Sequence, residues 1–155
     1  MGYSLVLSLD YIGGFFDGEG CVCIYSKEGW FGVSVSVVQC NRRILEDIRA
    51  TLDCGGNISE RYSGVGEKRA FELQYHSAAA VKAARKLIPV LRLKRDQAEI
   101  MATFWETYGR ILQDNRTKPP EERRAIEVQR YQAGLKAREA IKAVSYTHLT
   151  LPTKA

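Results

Sequence analysis

Residues 8–20 read Ser-Leu-Asp-Tyr-Ile-Gly-Gly-Phe-Phe-Asp-Gly-Glu-Gly, and this segment decides the fold. After a potential N-cap at Ser8, its apolar side chains recur at the spacing of one helix face: Leu9, Ile12, Phe15 and Phe16. Glycine costs a helix interior roughly 1 kcal/mol relative to alanine, yet Gly13, Gly14 and Gly18 all lie in this segment. Because Gly14 and Gly18 are four positions apart, they open the same face to a second backbone. The segment therefore predicts a helix that packs closely on another helix.

Two acidic residues, Asp17 and Glu19, stand at the carboxyl end of the predicted helix. The helix dipole disfavours negative charge there by about 0.3–1 kcal/mol. A divalent cation would reverse that effect, because carboxylate oxygens are the ligands that hard metal ions prefer. The alternative is a solvated acidic helix end that stops at Gly20. These residues alone leave both interpretations open.

Composition limits the class of protein. The 155 residues suffice for one domain with its own core. Lysine and arginine (23) exceed aspartate and glutamate (18) by 5, which is compatible with nucleic acid as partner but weak support for it. The four cysteines form no C-x-x-C pair, so free thiols are expected rather than a zinc site. Without a signal peptide or a long apolar run, we expect a soluble intracellular protein with no membrane segment, in cytoplasm, nucleoid or organelle.

Beyond Gly20 the hydrophobic period changes from helical to two, which predicts strands. One hairpin is expected at 21–38, and a second pairs residues 57–63 with 69–76. Helices are predicted after an N-cap at Asn41, after an N-cap at Ser77 and from about Lys94 to Gln113. The resulting order, αββαββα, predicts an α+β fold in which helices cover one face of a four-stranded antiparallel sheet.

The other face of that sheet carries small and polar side chains. A β-ribbon can enter the major groove of DNA, so this face has the character of a DNA-binding saddle. Exposed strand residues are usually only solvated, and it is their common face that supports the prediction. The predicted contacts to bases or phosphates are Tyr25, Lys27, Ser34, Ser36, Ser59, Arg61, Glu72 and Gln74.

The chain divides further at Thr117-Lys118-Pro119-Pro120. Residues 1–115 are expected to form the main domain and 116–144 a helical extension. The extension's apolar stripe is thin, so we predict peripheral packing; solvation, or phosphate contacts by Arg123, Arg124 and Arg130, are alternatives. Residues 145–155 show neither periodicity nor charge and are predicted to be a non-native tail.

Residues 12–20, Ile-Gly-Gly-Phe-Phe-Asp-Gly-Glu-Gly, resemble the signature of the LAGLIDADG homing endonucleases, and the order of elements resembles theirs from Leu5 to Asn115. The resemblance implies the LAGLIDADG fold and a site-specific double-strand DNA endonuclease encoded by a mobile intron. It also implies Mg²⁺ (or Mn²⁺, or Ca²⁺ in a non-cleaving complex), no small-molecule cofactor and a long pseudo-palindromic target. With one motif per chain, it implies a homodimer of crossed motif helices. The expected interface residues are Tyr11, Gly14, Phe15 and Gly18.

The resemblance also assigns roles at the predicted active site. Glu19 occupies the position of the acid that binds the catalytic metal. Asp17 is expected first to support the helix end and only second to bind metal. Gln39, which closes the second strand, resembles the residue that positions water, because a neutral amide suits orientation rather than deprotonation.

Basic residues complete the predicted site. Arg42 or Arg43 resembles the family's basic residue early in the following helix, and the sequence does not decide between them. Lys94, within residues 91–98, resembles the lysine beside the scissile phosphate. Such cations stabilise charge that develops in the transition state. The alternatives within this fold are an intron RNA maturase and a non-catalytic DNA-binding protein.

Overall fold

The computed structural model of the chain describes residues 5–62, 69–109 and 117–149. Nine elements follow one another in these ranges: α1 (Leu9–Glu19), β1 (Gly20–Lys27), β2 (Trp30–Gln39), α2 (Arg42–Leu52), β3 (Asn57–Tyr62), β4 (Arg69–His76), α3 (Ser77–Leu87), α4 (Arg95–Tyr108) and α5 (Pro120–Leu149). The predicted order αββαββα is confirmed, with α4 and α5 after it.

Helix α1 forms as its sequence predicts. The Ser8 hydroxyl accepts a hydrogen bond from the backbone N–H of Tyr11 at 3.2 Å and caps the first turn. At the other end, the N–H of Gly20 donates to the carbonyl of Phe16. Gly13 lies against the loop before α4, since a Cβ added to it would stand 2.7 Å from Cγ2 of Val90. One of the three glycines thus serves packing within the chain.

The four strands form one antiparallel sheet in the order β1-β2-β4-β3. Eight alternate residues of the three strands β1, β2 and β4 point into the core and are buried: Val22, Ile24, Phe31, Val33, Val35, Val37, Leu73 and Tyr75. Buried side chains of all five helices belong to the same cluster. The predicted α+β architecture is therefore confirmed.

The sequence predicts the N-terminal end of α2 correctly but not that of α3. Asn41 caps α2, because its side chain accepts from the N–H of Arg43 at 3.0 Å, as expected. The predicted N-cap at Ser77 is wrong, because α3 begins at Ser77 itself and the N-cap position is His76, whose side chain makes no capping hydrogen bond. Strand β4 passes into α3 without a loop, and Ser77 makes the change of direction with a φ of 53°.

The C-terminal helix α5 packs on α4 and on the β1–β2 hairpin, with Ile141 buried. This agrees with the predicted peripheral packing. The helix continues to Leu149, beyond the predicted start of the tail. Ser145 accepts a hydrogen bond from the Gln97 amide at 2.8 Å, which ties this turn to α4. The predicted last turn of α4, up to Gln113, lies outside the described residues. No described helix, α5 included, is long and apolar enough to cross a membrane.

Candidate active site and nucleic-acid interface

The Asp17 carboxylate joins the end of α1 to the start of α4. Its Oδ2 accepts from the N–H of Arg92 at 2.9 Å, and its Oδ1 accepts from the N–H groups of Leu93 and Lys94 at 3.1 and 3.0 Å. Three backbone donors at the approach to α4 are thus satisfied by one ionised side chain. This geometry favours the structural role for Asp17 over the metal-binding one.

The side chain of Lys94 in turn binds the carboxyl end of α1. Its Nζ donates to the carbonyls of Phe16 and Asp17 at 3.0 and 2.6 Å, so a cation sits at the negative end of the α1 dipole. Burial lowers the pKa of Lys94, while the charges of Asp17, Cys21 and Glu19 act in the opposite direction. An ammonium group has three donors, and the described residues engage two of them. The third donor has no hydrogen-bond partner among the described residues.

Glu19 contrasts with Asp17. It is the last residue of α1 and is exposed, and within the described part of the chain no hydrogen bond or ion pair engages its carboxylate. The described residues also contain no group of three or more histidine, cysteine, aspartate or glutamate side chains placed to hold a metal ion. One copy of the chain therefore offers a single uncommitted carboxylate at the point where α1 meets the sheet.

Gln39 ends β2 at the same end of the sheet. Gly20, the first residue of β1, pairs with Val37, so the next residues of β2 lie alongside the end of α1. The Gln39 Oε1 accepts from the N–H of Cys40 at 2.8 Å, which fixes the orientation of the amide. The register thus brings Gln39 to the neighbourhood of Glu19.

The two candidate arginines both bind acids of their own helix. Arg42 pairs with Glu46 at 2.8 Å, and Arg43 pairs with Asp47 at 3.8 Å. The guanidinium of Arg42 also lies 5.6 Å from the ring centroid of Phe71. Both arginine side chains remain about half exposed, 52% and 54%. The contacts do not select one of them for the active site.

The strand register places the predicted DNA contacts on one face of the sheet. Ser36 pairs with Gln74, and Ser59 pairs with Glu72; directly paired residues share a face. Alternation along each strand adds the remaining members, so all eight lie opposite the core: Tyr25, Lys27, Ser34, Ser36, Ser59, Arg61, Glu72 and Gln74.

Two of these eight residues are much less accessible than a DNA contact requires. Ser34 is 7% exposed and Glu72 is 8% exposed. The Glu72 carboxylate instead pairs with Arg61 at 3.0 Å, while the Arg61 side chain stays 60% exposed. Glu72 is therefore placed to orient Arg61 on this face.

An aromatic group near the β1–β2 turn was missed by the sequence prediction. The rings of Trp30 and His76 each stand edge to face on Tyr25, with centroids 6.2 Å apart in both pairs. Tyr25 lies across Gly32, where an added Cβ would stand 2.6 Å from the Tyr25 hydroxyl oxygen. The alternation that identified Tyr25 also assigns Trp30, Gly32 and His76 to this face, and this signal could have found them.

The predicted dimer face of α1 is open in the single chain. A Cβ added to Gly14 or Gly18 would meet no described atom within 4 Å. Tyr11 beside them is 49% exposed, and its ring lies 6.2 Å from that of Phe15. This face therefore has the small and aromatic side chains that suit close contact with another helix.

No protein-family model and no curated protein matches the sequence. Solved structures do. The homing endonuclease I-CvuI, in complex with its target in the presence of Ca, aligns with a TM-score of 0.56 and 23% identity over 88% of this chain and 93% of its own. The archaeal intron-encoded homing endonuclease I-Vdi141I, complexed with DNA, gives 0.52 and 18% over 89% and 96%. The LAGLIDADG homing endonuclease I-GzeII, in complex with a DNA target, gives 0.57 and 12% over 85% of this chain and 44% of its own.

The chain thus has an α+β fold that is shared with DNA-bound endonucleases. This fold is that of the LAGLIDADG homing endonucleases, as the motif in residues 12–20 predicts.

Proposed function

We propose that the protein is a site-specific endonuclease of the LAGLIDADG family that cleaves both strands of duplex DNA as a Mg²⁺-dependent homodimer. The observation that carries this proposal is the contrast between two acids at one helix end. Asp17 is engaged by three backbone amides, whereas the carboxylate of Glu19 is exposed beside the polar face of the sheet. I-CvuI, which shares the fold, has been solved with DNA in the presence of Ca and of Mg.

The residues at this point suit a hard divalent cation. Mg²⁺ is commonly held by one or two carboxylates together with waters and substrate phosphates, rather than by a full set of protein ligands. One free Glu19 per chain therefore fits a site completed by a second chain and by DNA. When bound, the metal activates water and offsets charge on the phosphate. The free donor of Lys94 would contact the phosphate, and the Gln39 amide would orient water.

The open face of α1 supports the proposed homodimer. Two copies related by a twofold axis present the same surface to each other. Gly14 and Gly18 would allow the two helices to approach closely, since a Cβ on either would meet no described atom within 4 Å. Because Glu19 ends this helix, the crossing brings two carboxylates to one place on the DNA.

The dimensions of the sheet match a long target. Strand β2 has 10 residues and spans about 33 Å at about 3.3 Å per residue. That length covers about ten base pairs at about 3.4 Å per step. Two copies would therefore cover about twenty base pairs, with the symmetry of an imperfect palindrome.

The central test is the substitution Glu19→Gln. Cleaved sites are first selected from a randomised duplex library with Mg²⁺ and the wild-type protein. Glu19→Gln is then expected to lose cleavage of a selected site and to keep its binding. Unchanged cleavage would refute the assignment. Cys40→Ser, an exposed change near the same end of the sheet, serves as the matched control and should cleave normally. Binding of intron RNA without cleavage of any DNA would instead identify a maturase.

The sheet face has its own test in Arg61→Ala. Loss of one phosphate contact should lower the slope of log affinity against log salt concentration by about 1. Unchanged affinity and slope would remove Arg61 from the interface. Lys82→Ala, on the exposed side of α3, is the control and should leave both quantities unchanged.

A further inference from the structure

Helix α5 packs against the β1–β2 hairpin close to its turn, and we propose that this contact positions the aromatic side chains that read the outer base pairs of the DNA target. Gly134 is the specificity-determining position on α5, acting through Phe31 and Trp30. The inference rests on the proposed function for its DNA-binding role, while its structural part is independent of DNA.

The contact is close because Gly134 has no side chain. A Cβ added there would overlap the Phe31 ring, at 2.5 Å from Cγ and 2.8 Å from Cε2. Glycine is unfavourable inside a helix, so its presence in the middle of α5 requires such a reason. Phe31 is 1% exposed, and its ring centroid lies 5.4 Å from that of Tyr131, three residues before Gly134. Helix α5 therefore covers the Phe31 ring from two successive turns.

Arg130 extends this contact to the strand backbone. It is 5% exposed, and its Nη2 donates to the carbonyl of Phe31 at 3.5 Å. Its Nε has no hydrogen-bond partner among the described residues, and burial lowers the pKa of Arg130. An open cleft of about 500 Å³ separates the Glu28–Gly29 turn from α5 around this group. Helix α5 therefore leaves the turn itself uncovered and contacts β2 next to the turn at Phe31.

Trp30, the residue before Phe31, carries the effect to the DNA-binding face. Successive side chains of a strand point to opposite faces, so Phe31 faces α5 while Trp30 faces the DNA side. Trp30 stands edge to face on Tyr25, and Tyr25 on His76. A displacement of Phe31 would shift the backbone that carries Trp30 and loosen this aromatic group.

Distance restricts the expected effect to one part of the target. Tyr25 follows Glu19 by six residues, which corresponds to about 20 Å along β1. At about 3.4 Å per base pair, the aromatic group lies about six pairs from the site of cleavage. Specificity there should depend on Gly134, whereas specificity next to the scissile phosphates should not.

The experiment compares the wild type with Gly134→Ala in binding and cleavage selection from randomised duplex DNA with Mg²⁺. Base preference about five to seven pairs from the cleavage site is expected to fall about tenfold, equal to about 1.4 kcal/mol. Preference next to the scissile phosphates and the cleavage rate at saturation should be unchanged. Trp30→Ala should weaken the same outer positions. Gln132→Ala, on the exposed side of α5, is the matched control and should keep the wild-type profile.

A second measurement requires no DNA. In a Trp105→Phe background, Trp30 is the only tryptophan, and Gly134→Ala should shift its emission to longer wavelength as the aromatic group opens. The double variant Phe31→Leu/Gly134→Ala, in which a smaller side chain makes room for the new methyl group, should recover part of both effects.

Three results would overturn the inference. The first is an unchanged outer preference in folded Gly134→Ala, and the second is an equal loss of preference at every position. The third is an unchanged Trp30 emission. If Gly134→Ala does not fold, the double variant and Trp30→Ala decide in its place. Failure of the wild type to bind any duplex would refute the proposed function instead, and the emission shift would still decide whether α5 positions Trp30.

Discussion

Separate substitutions of Asp17 and Glu19 should affect different properties: that of Asp17 should lower stability, and that of Glu19 should abolish cleavage. The two acids are two residues apart at the end of α1, but only Asp17 accepts hydrogen bonds from the backbone before α4, at 2.9, 3.1 and 3.0 Å. Asp17→Asn keeps the shape of the side chain, leaves one oxygen as acceptor and replaces the other with a donor that faces backbone N–H. Glu19→Gln changes the same chemical group at an exposed position where no described residue forms a hydrogen bond with it.

The expected loss for Asp17→Asn follows from these bonds. A hydrogen bond to a charged group contributes about 1.5–3 kcal/mol, and a neutral one about 1 kcal/mol. The substituted amide would lose at least one of the three bonds and the charge on the others, while its partial exposure reduces the effect. We therefore expect unfolding free energy to fall by about 2 kcal/mol, which corresponds to a Tm lower by about 4–8 °C in a chain of this size. Glu19→Gln should change stability by less than about 0.5 kcal/mol.

Urea and thermal unfolding of both variants measure these differences in stability. Cleavage of DNA with Mg²⁺ measures the effect of each substitution on activity. Asp17→Asn is expected to retain cleavage at temperatures well below its Tm, whereas Glu19→Gln should retain stability and lose cleavage. A stable Asp17→Asn protein without activity would show that Asp17 belongs to the metal site and that its backbone contacts contribute little.

Three further predictions use single positions. The buried Tyr75 hydroxyl has no hydrogen-bond partner in the described part of the chain, so Tyr75→Phe should raise unfolding free energy by about 1 kcal/mol in urea titrations; a loss of that size would reveal an unseen partner. Gly14→Leu should leave the chain folded but monomeric in gel filtration. Gly13→Ala, whose new methyl group meets Val90, should instead lower Tm and leave the proposed dimer intact. A dimeric Gly14→Leu would contradict the crossed-helix interface. Because burial lowers the pKa of Lys94, its charged form is lost at a lower pH than that of a solvated lysine, so cleavage activity should begin to decline at a lower alkaline pH. Lys94→Arg should move this decline to higher pH. An unchanged pH profile in Lys94→Arg would exclude Lys94 as the cause of the alkaline decline.

Local signals explain why most of the fold could be predicted from the sequence. The cap at Ser8, the helical spacing in α1 and the alternation in β2 depend only on residues near in the chain. Ser77 was misassigned because β4 runs directly into α3, and the position of that junction is set by sheet pairing. The sequence predicted peripheral packing for α5 and gave phosphate contact by Arg130 only as an alternative; tertiary packing buries this residue, and no local pattern indicates a buried arginine on an alanine-rich helix.

The candidate site was predictable to a different extent. Glu19 and Lys94 could be assigned because each lies within a segment that resembles a family motif. The three backbone amides that bind Asp17 are 75 to 77 residues away in the chain. A hydrogen bond to such a distant backbone N–H leaves no local pattern in the sequence, so it could not be predicted. The same holds for the Phe31 contact with Gly134. The motif thus predicts which residues carry the proposed chemistry, and only the structure reveals which residues hold them in place.

The glycines of the two helices α1 and α5 indicate where another element packs closely on the helix. An interior glycine weakens a helix, and this cost is offset where a Cβ would collide with a neighbour. Gly13 meets this condition through Val90 and Gly134 through Phe31, both within one chain. Gly14 and Gly18 carry the same energetic penalty, but a Cβ on either would meet no described atom within 4 Å. The contact that would offset this penalty is therefore absent from the described part of the single chain, and in the proposed homodimer a second α1 across a twofold axis, with its Glu19 beside the first, would supply it.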